Sequence, residues 1–98
     1  MALITAVVLS EWAKKQLLKV PHHVVRKLTI WVRAVEISGI DEVRKMPGFH
    51  DEPLRGKRAG QRSIRLNRAY RAIYEIRKDV AQLVSVEEVS KHDYEESS

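Results

Sequence analysis

The chain has 98 residues, no cysteine, 44% apolar and 32% charged residues, and a formal net charge of +5. These values describe one globular domain over residues 1–98 with a single modest core, and they exclude a disulfide framework, a thiolate metal site and a cysteine nucleophile. No apolar run approaches the roughly 20 residues of a membrane-spanning helix and no basic-then-apolar leader stands at the start, so a soluble cytoplasmic protein that contacts no membrane is expected.

Residues 3–9, LITAVVL, are apolar and rich in branched side chains, which reads as a short buried strand. Ser10 follows as a helix cap, and EWAKKQLLKV places Trp12, Leu17 and Leu18 near helical spacing, up to Pro21. Proline has no amide hydrogen and disfavours helix in the residue before it, so the first helix should stop there. From His22, the residues Val24, Val25, Leu28, Trp31, Val32 and Val35 recur at intervals of three and four, and Ser38-Gly39 closes this second helix. Trp12 and Trp31, both on these apolar stripes, are expected in the core. IDEVRKM adds one more helical turn before the breaker pair Pro47-Gly48.

The period then changes. GQRSIRL alternates, Asn67-Arg68 reads as a turn, AYRAIYEI returns as a second strand, and VAQLVSVEEV gives a third after the turn at Arg77-Lys78-Asp79. The expected architecture is α+β: an N-terminal strand and a two-helix hairpin packed on one face of a mainly antiparallel four-stranded sheet, with the other face open. Residues 95–98 form a polar tail expected to fray.

Charge is distributed unevenly along this pattern. Residues 50–78 hold nine Lys or Arg against three Asp or Glu, and residues 55–74 hold seven cations with no carboxylate. A block of one sign at that density is the footprint of a phosphate-bearing partner. On the open face, Arg65 and Arg71 from adjoining strands can meet across the hairpin. The bland alternative for Arg71 is an ion pair with Glu75 or Asp93.

No Gly-rich nucleotide loop, HExxH or GxSxG is present, which leaves nucleotide hydrolysis, zinc proteolysis and the esterase elbow without support. His50, Asp51 and Glu52 are three ligand types in a row, but adjacent residues cannot all face one ion without a special turn, so no metal site is expected. His22 and His23 read as exposed residues at the start of the long helix. Lys91-His92-Asp93-Tyr94 directly follows the last strand, and His92 is a natural proton carrier near neutral pH, with Tyr94 able to donate a hydrogen bond or a proton.

The segments PGFHDEPLRGKRAGQRSIRLNRAYRAIYEI and VEEVSKHDY, with the helical hairpin ahead of them, resemble the RelE/ParE toxin superfamily, and within it the RelE/HigB-like ribonucleases. The similarity spans residues 3–94. It is most specific in the L-x-G-x-R-x-G-Q-x-S-I-R-L run, the Y-R-A-I-Y strand and the His-Asp-Tyr close. The resemblance implies a RelE-like, microbial-RNase-like toxin that cuts messenger RNA on the ribosome without a metal or other cofactor. It also implies a cognate antitoxin of helix-turn-helix DNA-binding type.

Carried onto this chain, the resemblance makes Arg65, Arg71, His92 and Tyr94 the catalytic candidates, and Arg55, Lys57 and Arg58 the cations of the RNA-binding loop. Arg62, Arg68, Lys91 and His50 complete the expected RNA-binding set. The chemistry supports the same roles: attack by a 2'-hydroxyl needs a base, a cation on the phosphorane and an acid for the leaving 5'-oxygen. A guanidinium grips two phosphoryl oxygens and keeps its charge, which suits Arg65 and Arg71. Two other readings share the fold and charge: a ParE-like toxin that binds DNA gyrase without cutting RNA, and a module that binds RNA without cutting it.

Overall fold

The computed structural model describes residues 6–77 and 83–91. In chain order these form β1 (Ala6–Leu9), α1 (Glu11–Leu17), α2 (His22–Ser38), α3 (Ile40–Val43), β2 (Glu52–Pro53), β3 (Arg62–Arg65), β4 (Tyr70–Arg77) and β5 (Leu83–Lys91), with short 3₁₀ turns at Pro47–Phe49 and Gly56–Arg58. The five strands lie in the order β1-β5-β4-β3-β2, with β1 parallel to β5 and every other pair antiparallel. Helices and sheet share one core, in which Val24, Leu28, Trp31 and Val35 of α2 meet Tyr74, Val84, Val86 and Val89 of the sheet. The α+β expectation holds. The strand beyond the expected four is β2, a two-residue edge strand too short to leave a periodic signal, whose Pro53 is tolerated because an edge has no partner for the missing amide. Among the described residues, no helix is long and apolar enough to cross a membrane.

Ser10 joins the first strand to the first helix. Its amide donates to the Val86 carbonyl at 2.8 Å, its hydroxyl donates to the Glu87 carbonyl at 2.8 Å, and the same oxygen accepts from the Ala13 amide at 3.0 Å. Gln16 Oε1 then accepts from the Val89 amide at 2.6 Å. Where β1 stops, α1 therefore supplies side-chain partners to the edge of β5. This close approach explains a correction to the expected core: Ala13, one residue past Trp12, faces the sheet and is fully buried, while Trp12 is 59% and Leu18 86% exposed. Only a small side chain fits where the helix lies against β5. The helix also ends earlier than Pro21 demands, because Leu18 and Lys19 donate to the carbonyls three residues back in a tightened last turn.

α2 matches its periodicity. Trp31 is fully buried with its ring 5.0 Å from that of Tyr74, and Gly39, at φ +85°, closes the helix by donating to the Val35 carbonyl.

On the sheet, Val84, Val86 and Val89 all point at the helices although their spacing changes from two to three. A bulge absorbs the extra residue: Ile73 pairs with Glu88 and Tyr74 with Val86, leaving Glu87 unmatched. The hairpin between β3 and β4 closes over residues 66–69 rather than on Asn67-Arg68 alone. Leu66 and Asn67 both donate to the Tyr70 carbonyl, and Asn67 Oδ1 accepts from the Ala69 and Tyr70 amides at 2.8 and 2.7 Å.

One buried ionic group sits at the rim of this core. The Asp51 side chain is 0% exposed and accepts from Arg62 Nε at Oδ1 and from the Tyr74 hydroxyl at Oδ2, each at 2.5 Å. Burial, then the hydrogen bond and charge of Asp51, push the Tyr74 hydroxyl far above the usual tyrosine range. Burial opposes the Arg62 charge, but the Asp51 hydrogen bond and charge outweigh it and raise the Arg62 pKa.

Two outcomes follow for stability. Trp31→Ala should cost about 3–5 kcal/mol, whereas Trp12→Ala should stay within about 0.5 kcal/mol, both read from urea unfolding. Because the folded Tyr74 pKa lies above its unfolded value of 10.0, the unfolded chain releases this proton first. Stability due to Tyr74 is complete below that pH and is lost as pH rises beyond it, at up to about 1.4 kcal/mol per pH unit. Urea midpoints at pH 9 and pH 11 should show that loss in the parent and a smaller one in Tyr74→Phe.

Candidate functional site

Paired residues share a face of a sheet, so the register sorts the hairpin side chains. Ile64 and Ala72, Arg62 and Tyr74 face the helices; Ser63 and Ile73, Arg65 and Arg71 face the open side. The arginines of adjoining strands therefore stand directly opposite each other, as the alternation predicts. Ser90 of β5 completes their row, and Glu52, Ser63, Ile73 and Glu88 form the next. Ser63 and Ile73, in the middle of that second row, are buried.

The two ends of this open side differ in charge. Away from the hairpin, the acidic side chains of β4 and β5 all have partners among the described residues: Arg58 Nη2 meets Glu88 Oε1 at 2.6 Å, and Arg77 meets Glu75 at 3.2 Å and Glu87 at 3.5 Å. Gln61 adds a bond to Glu75 at 3.2 Å and accepts one from Arg58 at 3.0 Å. Glu75 is thus taken by Gln61 and Arg77, and the expected alternative pairing of Arg71 with Glu75 is not formed. Asp93, the other alternative, lies outside the described residues.

At the hairpin end, neither Arg65 nor Arg71 has an ion pair among the described residues, and the buried Arg71 Nε has no hydrogen-bond partner there. Like charges directly opposite on a sheet are destabilising. Here they line a cleft of about 90 Å³ whose walls also include His50, Glu52, Arg68 and Tyr70. Asn67 lines it too, with its Nδ2 2.9 Å from His23 Nε2 on α2, which gives exposed His23 a role as a brace for the turn.

The remaining sequence candidates are dispersed. Arg62, expected beside the other cations, instead points to the helix-facing side and is engaged by Asp51, because its register partner is Tyr74. Arg58 is tied to Glu88 next to the cleft, and Arg55 and Lys57 are exposed on the loop before β3. Lys91, the last residue of β5, pairs with Tyr70, one step from the Ser90–Arg71 pair. His92 and Tyr94 lie outside the described residues.

Glu52 is the residue that sequence reading missed as a site group. It is the cleft's carboxylate among the described residues, brought there by pairing with Ser63. The signal was present only as an alternation too short to use: Glu52 opens the two-residue strand and points away from its neighbour Asp51, while His50 lines the cleft from a left-handed turn residue just before. Among the described residues, no group of three or more His, Cys, Asp or Glu side chains is gathered to hold a metal. What the cleft does hold is a pair of fixed cations for an oxyanion, with a carboxylate and an imidazole that can move protons beside them.

No protein-family model matches the chain, and no curated protein matches its sequence. Solved structures do match in shape. YafQ from E. coli superposes with a TM-score of 0.69 at 17% identity, covering 90% of this chain and 93% of its own. The YoeB/ParE toxin from Agrobacterium tumefaciens gives 0.67 at 19% identity, covering 90% and 99%. The toxin-antitoxin complex RelBE2 from Mycobacterium tuberculosis gives 0.61 at 22% identity, covering 89% and 96%. This chain has the fold of the RelE/ParE toxin superfamily.

Proposed function

We propose that the chain is the toxin of a type II toxin–antitoxin pair and that it cleaves messenger RNA on the ribosome by attack of a 2'-hydroxyl on the neighbouring phosphorus. The observation that carries this reading is the opposition of Arg65 and Arg71, without ion pairs among the described residues, in a cleft that also holds His50 and Glu52. An ordinary surface would neutralise such a pair, as the far end of the same face does. A phosphodiester supplies the missing negative charge, and the growing charge of the phosphorane draws on the same two guanidiniums more strongly than the substrate does.

Within that scheme Glu52 takes the proton of the 2'-hydroxyl, as the carboxylate that lines the cleft with the two arginines. The proton for the departing 5'-oxygen comes from an imidazole. His50 stands in the cleft, and His92 follows one residue after Lys91 in sequence, with Tyr94 assisting it. Arg68, Arg55, Lys57 and Lys91 extend the positive surface along the flanking RNA. The bonds balance without a co-reactant: the oxygen–phosphorus bond forms as the 5'-oxygen leaves, and one proton enters the protein as another is given up. A partner with an acidic segment would silence the toxin by occupying the arginine cleft, and two of the structural neighbours are toxin–antitoxin complexes.

Mapping of mRNA 5' ends in a translating extract tests the reading. The parent should generate new ends. Arg65→Ala and Arg71→Ala should each reduce them by about 100- to 1,000-fold, and Arg71→Lys should rescue only in part, because an ammonium cannot grip two oxygens. Glu52→Gln and His92→Ala should slow cleavage while leaving RNA affinity in place. Absence of new ends together with inhibited supercoiling by DNA gyrase would replace this reading with the gyrase-binding one.

A further inference from the structure

The Arg62–Asp51–Tyr74 cluster lies outside the cleft, and the reaction above does not use it. It is costly in the ordinary sense: a carboxylate with no exposed surface, held by a phenol and a guanidinium at the sheet rim. Its place in the chain is informative. Asp51 stands between His50 and Glu52, the two proton-handling groups of the cleft. Arg62 and Tyr74 pair with each other on the helix-facing side, whereas Glu52 pairs with Ser63 on the open side. Asp51 is thus drawn inward while its neighbours are turned outward. His50, which caps the preceding 3₁₀ turn, occupies the left-handed region at φ 49° and ψ 51°, a conformation uncommon for a residue with a Cβ, and Asp51 follows it directly. β2 itself has only two residues, too few to fix this stretch through its ladder.

We propose that Asp51, clamped by Tyr74 and Arg62, is the positioning group that sets His50 and Glu52 in the arginine cleft. This rests on the ribonuclease reading for its consequence in catalysis, but not for its consequence in geometry. The clamp has two arms on the two carboxylate oxygens, so it restrains rotation as well as position. It reaches through the sheet rim from the core, where Tyr74 is wedged against Trp31. The rigidity of the core is thereby passed to two residues on an otherwise exposed segment. Arg62 contributes as a tether for Asp51 rather than as a contact for RNA.

Tyr74→Phe is the sharpest test, since it removes one arm and keeps the ring against Trp31. Asp51→Asn is the second variant, keeping shape while weakening both arms, and Arg62→Lys is the conservative control. In a folded Tyr74→Phe protein, kcat for RNA cleavage should fall about 10- to 100-fold. KM should stay within about twofold, because Arg65 and Arg71 are untouched, and the limbs of the pH–rate profile should move. An unchanged kcat would overturn the proposal. So would a parallel loss of kcat and apparent affinity that tracks the folded fraction.

A second readout separates this idea from the ribonuclease reading. The His50 ring is titrated by NMR in parent, Tyr74→Phe and Asp51→Asn, with no RNA present. A displaced His50 midpoint and altered amide shifts at residues 50–52 support positioning even if the parent cuts no RNA. An identical His50 titration in folded variants refutes it whatever the activity.

Discussion

The register of the β3–β4 hairpin decides which side chains meet, and a single asparagine sets it. Asn67 Oδ1 accepts two consecutive backbone amides, from Ala69 and Tyr70, and this closes a loop that leaves Arg65 opposite Arg71. The side-chain period along a strand is two, so a slip of β3 by one residue would send Arg65 toward the helices, part it from Arg71 and bring Ile64 into water. The core enforces the same choice from the other side, since Ile64, Ala72 and Tyr74 are all buried against it. Turn chemistry and hydrophobic burial thus agree on one register. That agreement is why two like charges can be held face to face without the hairpin rearranging to separate them.

What makes the arrangement informative is its contrast with the rest of the same surface. Exposed ion pairs contribute little stability, about 0–1 kcal/mol each, so Arg58–Glu88 and the Arg77 pairs are not there chiefly to hold the fold. Their effect is to cancel charge over one half of the open side, leaving the positive potential concentrated at the hairpin end. A localised field of that kind aligns an anionic strand along one track and repels other orientations. Ile73 and Ser63 lie buried between the halves, with Arg65 exposed and Arg71 half-buried beside them, its Nε inside the surface.

How far all this could be read in advance depends on the length of each signal. α2 repeats its apolar spacing over 17 residues and β4 alternates over eight, and both were legible, together with the Arg65–Arg71 meeting that follows from them. Trp12 was misread because the stripe of a seven-residue helix is ambiguous by one position, and the contact that decides it, Ala13 on β5, is between residues far apart in sequence. β2 has no period at all in two residues. The bulge at Glu87 shifts the phase of β5 partway, so only the full ladder shows that Val84, Val86 and Val89 share a side. Arg62 belongs to the same basic run as its neighbours by composition, yet parity puts it on the opposite face. Glu52 and Asp51 gave no warning for the related reason that their roles are set by alternation across an irregular segment.

The central strand explains why these hidden contacts converge. β4 pairs along both edges and points alternate residues to its two faces, so Arg71 and Ile73 build the open side while Ala72 and Tyr74 build the core. Through the Tyr74 hydroxyl, the core reaches the segment that carries His50 and Glu52; through Arg71, the same strand supplies a cation to the cleft that those residues line. Two side chains three positions apart on one strand are rigidly related, because the ladder on each side fixes both. One doubly paired strand thus supplies Arg71 to the cleft and, through Tyr74, a hold on the segment that carries His50 and Glu52, so no long loop is needed to bring these elements together.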